Sequence, residues 1–162
     1  MSYKHQVVQV EDIKVVGVHA PATFQTIAHV TGSLARAFMP RRKEIENRIG
    51  THSFSVQDYD AVFQDVTPQT SFGKWVGVEV SDFENVPEGM NSLVLPGGAY
   101  LVIEFEGSPS DFPKLWQFIL QGWLPFSNYK LDKRPHFEKL PKTYNPLNPI
   151  NKEEVWVPLV LK

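Results

Sequence analysis

Cysteine is absent from the 162 residues. That excludes a disulfide framework, thiolate metal sites such as zinc fingers, and any cysteine nucleophile. A strong excess of charge is also missing: the formal net charge is -2, so no sustained positive field exists to hold nucleic-acid phosphate. The basic run Arg41-Arg42-Lys43 is followed by Glu44 and Glu46, the pattern of a solvated, salt-paired helix face. No apolar run approaches membrane-spanning length, and the start Met1-Ser2-Tyr3-Lys4-His5 has no signal-peptide core, so a cytoplasmic protein without a membrane partner is expected. The histidines His5, His19, His29, His52 and His136 show no His-x-x-x-His spacing, which argues against a metal site, and a lone histidine is weak support for haem. Gly-x-Ser-x-Gly, P-loop and dinucleotide fingerprints are missing too. No cofactor and no catalytic residue are therefore assigned.

What is present is a strand and helix pattern that runs twice. Val7 to His19 is rich in β-branched residues and closes at Pro21, which suits an extended strand. Between Gln25 and Ile49 the apolar residues Ile27, Val30, Leu34, Phe38, Ile45 and Ile49 follow helical spacing, with Pro40 as a kink or restart and Gly50 as the stop. Strands are expected at Ser53–Tyr59 and Lys74–Val80, then at Leu93–Phe105 with an irregularity at Pro96-Gly97-Gly98. Ser110 can cap a second helix carrying Phe112, Leu115, Trp116 and Ile119, with Gly122 at its end. Strands His136–Leu140 and Glu153–Leu159 follow, separated by the proline-rich loop Pro141–Pro149. The predicted class is α+β. Duplicated β-α-β-β units, about 5–82 and 92–162 of one domain spanning 1–162, form an antiparallel sheet with two helices on one face.

Alternate residues of a strand point to opposite faces, and three strands divide alike. Val76, Val78 and Val80, then Leu101, Ile103 and Phe105, then Val155, Val157 and Leu159 form aliphatic rows suited to lie under the helices. The opposite rows join rings to carboxylates: Trp75 with Glu79, Tyr100 with Glu104, Trp156 with Glu154. Rings of that size are better buried than exposed. Either the second face is a groove, or it packs against another chain. A groove of aromatic walls with a partly desolvated carboxylate suits a flat, lipophilic cation.

Several stretches resemble the GyrI-like family, the effector-binding domains of AraC- and MerR-type bacterial regulators. They are Val15-Val16-Gly17, Ala37-Phe38-Met39-Pro40-Arg41-Arg42, Trp75-Val76-Gly77-Val78-Glu79-Val80 and Val86-Pro87-Glu88-Gly89-Met90. Leu95-Pro96-Gly97-Gly98-Ala99-Tyr100, Trp123-Leu124-Pro125-Phe126-Ser127, Pro135-His136-Phe137-Glu138 and Glu154-Val155-Trp156-Val157-Pro158-Leu159 follow in order over most of the chain. The resemblance implies the same duplicated fold and a ligand cavity between the halves, with a last-strand carboxylate at its centre. On this chain that residue is Glu154. Trp156, Tyr100 and Trp123 are the implied walls, and Trp75 and Glu104 join them from the row pattern. Glu138 also sits in a family-like motif, where a structural ion pair or hydrogen bond explains it as well.

The resemblance implies a lipophilic, cationic small molecule as partner. With the first core strand beginning near Val7, neither a helix-turn-helix domain before it nor direct nucleic-acid binding is expected. Two alternatives stay open. A carboxylate buried among rings holds its proton more tightly, which is how a general acid or base near neutral pH is made, so hydrolysis of a reactive xenobiotic in the same cavity is one. The other is a protein-interaction module, with a partner protein or a second copy against the aromatic face.

Overall fold

A computed structural model describes residues 2–162. The first β-branched stretch forms two strands, β1 (His5–Val10) and β2 (Ile13–Ala22), because Glu11-Asp12 turns the chain. Asp12 secures that turn by accepting a 2.7 Å hydrogen bond from the Gly97 backbone N–H. Helix α1 (Ile27–Phe38) buries Leu34 and Phe38. It is shorter than the apolar spacing suggested, because Pro40 starts a separate 3-10 segment, Met39–Glu44. There the Arg41 guanidinium grips Glu44 at 2.8 and 3.0 Å, so Arg41 of the basic run is salt-paired, whereas Arg42 donates to the Thr51 carbonyl. Strands β3 (Ser53–Asp58) and β4 (Phe72–Glu79) close the first half.

In the second half Pro96-Gly97 divides the expected long strand into β5 (Asn91–Leu95) and β6 (Gly98–Gly107). Helix α2 (Phe112–Gln117) continues through π and 3-10 turns to Phe126. Its start is fixed by a Ser108/Asp111 capping box two residues before the expected Ser110 cap. A short strand unforeseen from the pattern, β7 (Tyr129–Leu131), precedes β8 (His136–Leu140) and β9 (Asn151–Leu161).

Among the described residues these strands make one antiparallel sheet in the order β1-β6-β9-β8-β3-β4-β2-β5, with β7 also beside β9. The class is α+β, as predicted. Each half sends one strand to the other: β1 pairs with β6, and β5 with β2. The central strands β3 and β8 join the halves, with Ser55 opposite Glu138 and Gln57 opposite His136.

The two faces of the sheet hold separate cores. Helix α1 covers Val16, Val76 and Val78 with Leu34 and Phe38, and α2 covers Leu101, Ile103, Phe105, Val155 and Val157 with Leu115 and Ile119. On the opposite face Phe54, Trp75, Tyr100, Val102 and Phe137 pack with Val15 and Leu95, and against Val8, Val10, Ile13 and Leu93. Edge strands therefore share one core with central strands, which means the sheet curls onto itself on this side. Gly17 and Gly77 face each other inside the curl, where a Cβ on Gly77 would lie 2.5 Å from the Val16 carbonyl oxygen.

Candidate functional site

The aromatic row expected to wall a groove belongs to that second core. Tyr100 is fully buried, its hydroxyl donates to the Pro96 carbonyl at 2.7 Å, and the Arg134 guanidinium lies over its ring at 4.6 Å. Trp75 is buried and stacks on His19. Trp156 stacks on Phe137 and meets Tyr100 edge-on. Glu154 stands beside this core with its carboxylate accepting the Trp156 indole N–H at 2.9 Å. Glu104 is exposed and paired with Lys4 at 3.3 Å. Trp123 sits on the helix side, at the far end of the α2 segment between His5 and Tyr129. Trp75 and Tyr100 are buried under the sheet's own edge strands, and Trp156 and Trp123 are half-buried.

A different cluster forms where the two helices leave the centre of the sheet uncovered. Here β3 and β8 turn toward the helix side, and their residues on that face are polar: Ser53, Ser55 and Gln57, then His136 and Glu138. Lys74 of β4 lies opposite Gln57, and Glu153 of β9 completes the group on the other side. Glu153 precedes Glu154 by one position, and strand alternation sends the two carboxylates to opposite faces.

Lys74 is buried. Its ammonium donates to Ser55 Oγ and Gln57 Oε1, and Gln57 Nε2 in turn donates to Glu138 Oε2 at 2.8 Å. Gln57 thus relays between a cation and a carboxylate, with its amide fixed in one orientation. Burial pushes the Lys74 ammonium down to about 8, against the opposing pull of Glu138 and Glu153. Burial likewise pushes Glu138 up, opposed by Lys74 and by the hydrogen bond from Gln57. Glu153 is pushed up to about 8 by burial first and by the Glu138 charge second. Among the described residues no side chain or backbone group hydrogen-bonds to the Glu153 carboxylate, and Tyr144 lies within reach of its field and that of Glu138.

Rings close this cluster at one end. Phe63, in the loop after β3, stacks on Trp116 of α2 at 3.9 Å between centroids, and so links the two halves. Tyr59, Phe63 and Trp116 all surround His136, at 5.2, 5.6 and 5.7 Å, while Phe24 and Phe72 back Tyr59. His136 is buried, and neither ring nitrogen has a hydrogen-bond partner. Burial, and secondly Arg134, push its pKa down to about 3, so it is a neutral ring at ordinary pH.

Carboxylates among aromatic rings were the pattern sought in the sequence, and the structure holds a second such group built from other residues. Of the expected residues, Trp75, Tyr100 and Trp156 meet in the second core beside Glu154, and none of the six joins this cluster. Only Glu138 was marked beforehand. The missed signal was the polar alternation Ser53-x-Ser55-x-Gln57 and His136-x-Glu138 on strands whose neighbours are apolar. Among the described residues no group of His, Asp and Glu has metal-binding geometry. No helix there is long and apolar enough to cross a membrane. Surface depressions of about 230 and 440 Å³ lie elsewhere, the first rimmed by Arg42, Arg48 and Lys142, a sign of charge that suits anions.

Solved structures of the same fold share little sequence with this chain. A putative bacterial transcription regulation protein from Staphylococcus aureus MU50 is 14% identical, with 98% of this chain and 99% of that one covered and a TM-score of 0.70. SAV2435 bound to tetraphenylphosphonium is 13% identical over 97% and 94%, with a TM-score of 0.69. An integron cassette protein from Vibrio cholerae is 11% identical over 96% and 95%, with a TM-score of 0.61. No curated protein matches by sequence. The family model Cass2, integron-associated effector binding protein, matches residues 6–159, nearly the whole chain, and the protein belongs to that effector-binding family.

Proposed function

We propose that the seam between α1 and α2, over β3 and β8, opens to take up a lipophilic cation, with Glu153 as its counter-charge and Tyr59, Phe63, Trp116 and the neutral His136 ring as apolar walls. The observation that carries this reading is the Glu153 carboxylate: half-buried and without a hydrogen-bond donor from the described residues, next to a second carboxylate and a set of rings. A carboxyl left in that state is stabilised as an anion most by a cation that rings can also contact. The ligand of SAV2435, tetraphenylphosphonium, has this chemistry, and it is the natural first probe.

The reading transfers the central carboxylate from Glu154 to its neighbour, because Glu154 already accepts the Trp156 indole N–H and flanks a filled core. Titration of the protein with tetraphenylphosphonium by calorimetry separates the two. At an effective dielectric constant of about 20 an ion pair at 4 Å is worth about 4 kcal/mol before desolvation is subtracted, so Glu153→Gln should weaken binding at least tenfold. Glu154→Gln should leave it unchanged. Equal binding by wild type and Glu153→Gln would sink the assignment.

A further inference from the structure

We infer that cation uptake in this cleft is an exchange, in which one proton leaves the Glu153 carboxyl for solvent as each ligand cation arrives, and that Lys74 is a resident competitor for the ligand's charge. The inference rests on the proposed function above and concerns what the lysine does to it.

The argument is a count of charge in a buried place. Lys74 contributes one positive charge, and Glu138 and Glu153 contribute two negative ones when ionised. Among the described residues the ion pairs join Lys4 to Glu104, Arg41 to Glu44 and Arg134 to Asp132, so Lys74 is held by the neutral oxygens of Ser55 and Gln57 and touches neither carboxylate. A cluster removed from water resists net charge and adjusts its protonation to lose it. Without ligand the neutral arrangement is one ammonium, one carboxylate and one carboxylic acid. With a bound permanent cation it is two positive charges and two carboxylates, and the difference is one proton.

Which oxygen carries that proton follows from the hydrogen bonds. Gln57 Nε2 donates to Glu138, which favours the ionised form there, whereas no donor from the described residues reaches Glu153. The proton therefore resides on Glu153, in keeping with the upward push on that group to about 8. Lys74 keeps its proton in the hydrogen bonds it donates to Ser55 Oγ and Gln57 Oε1, and the remaining titratable groups facing the cluster do not supply it near neutral pH. His136 is held neutral, Tyr59 is pushed up by burial and by Glu138, and Tyr144 is pushed up by burial, Glu153 and Glu138.

Calorimetric titration of the intact protein with tetraphenylphosphonium at pH 7, in buffers of different ionisation enthalpy, reads the proton count directly. The expected slope is about one proton released per cation, with affinity rising about tenfold per pH unit between pH 6 and 7 and levelling above pH 8. Lys74→Gln, which keeps a hydrogen-bonding side chain beside Ser55, should bind the cation at least tenfold more tightly at pH 7. Binding without proton release overturns the exchange and leaves the cation site standing. Unchanged or weaker binding by a folded Lys74→Gln variant overturns the competitor role. No binding by wild type removes the cation site itself. The wild-type proton count decides the exchange even if the variant does not fold.

Discussion

At the scale of single residues the cleft is defined by groups that give up hydrogen bonds or water. His136 is the extreme case, with both ring nitrogens unpartnered inside a box of rings. Such a histidine must stay neutral in the folded protein, while in the unfolded chain it protonates near its ordinary value of about 6.5. Its folded pKa is depressed to about 3, so its contribution to stability is fully present above pH 6.5 and is lost as pH falls toward 3, at about 1.4 kcal/mol per pH unit. Glu153 acts with the opposite sign. Its folded pKa is raised to about 8, so its contribution is fully present below the unfolded glutamate value and is lost as pH rises through 8. Urea unfolding of wild type and His136→Phe between pH 6 and 4.5 isolates the histidine. Wild type should lose stability faster than the variant by about that slope, and parallel curves would mean that the buried ring titrates as it does in water.

The residue scale is also where the sequence was hardest to read. Glu153 and Glu154 are adjacent and chemically identical, and only the register of β9 against β8, with Phe137 opposite Trp156, decides which one faces the helices. A strand pattern carries period two but no absolute direction. Both rows of β9 hold apolar residues here, because both faces of the sheet are buried, so the usual contrast of a wet and a dry face is missing.

At the scale of elements the pattern was more informative. β3, β4, β8 and β9 lie where alternation put them, and α1 begins near Gln25 with Ile27, Val30, Leu34 and Phe38 on one stripe. The breaks were less legible, since β1–β2 read as one continuous extended run and β5–β6 as one strand with an irregularity at Pro96-Gly97-Gly98, while the turns at Glu11-Asp12 and Pro96-Gly97 are fixed by a contact between the two, Asp12 to the Gly97 N–H. The curl that buries Trp75, Tyr100 and Trp156 depends on close approach of β2 and β4 at Gly17 and Gly77. A methyl group at 77 would press on the Val16 carbonyl at 2.5 Å and the Val15 side chain at 2.9 Å, atoms of a paired strand that cannot move aside independently. Gly77→Ala should therefore cost about 2–3 kcal/mol in urea unfolding. Because the strain falls on the second core, the near-ultraviolet signal of Trp75 should change with it. A neutral substitution would mean that the curl is not set by this pair.

For the whole molecule, the exchange of β1 and β5 between halves ties each helix to a sheet that both halves build, and the cleft is the seam left at β3 and β8. At one end of the seam Phe63 stacks on Trp116 across the halves, beside the contacts of Tyr59 and Phe63 with His136. A ligand that enters the seam at this end must first part these rings. The closed arrangement then acts as a competing state, and its stability subtracts from the rate of uptake. A stacked pair is worth about 0.5–1.5 kcal/mol beyond its area. Removing one ring by Phe63→Ala should accordingly speed association of tetraphenylphosphonium by about 2- to 12-fold, followed as tryptophan quenching in stopped flow. Dissociation should speed up more, because the same ring is a wall of the occupied site. If association is unchanged while dissociation accelerates, Phe63 is a wall and not a gate.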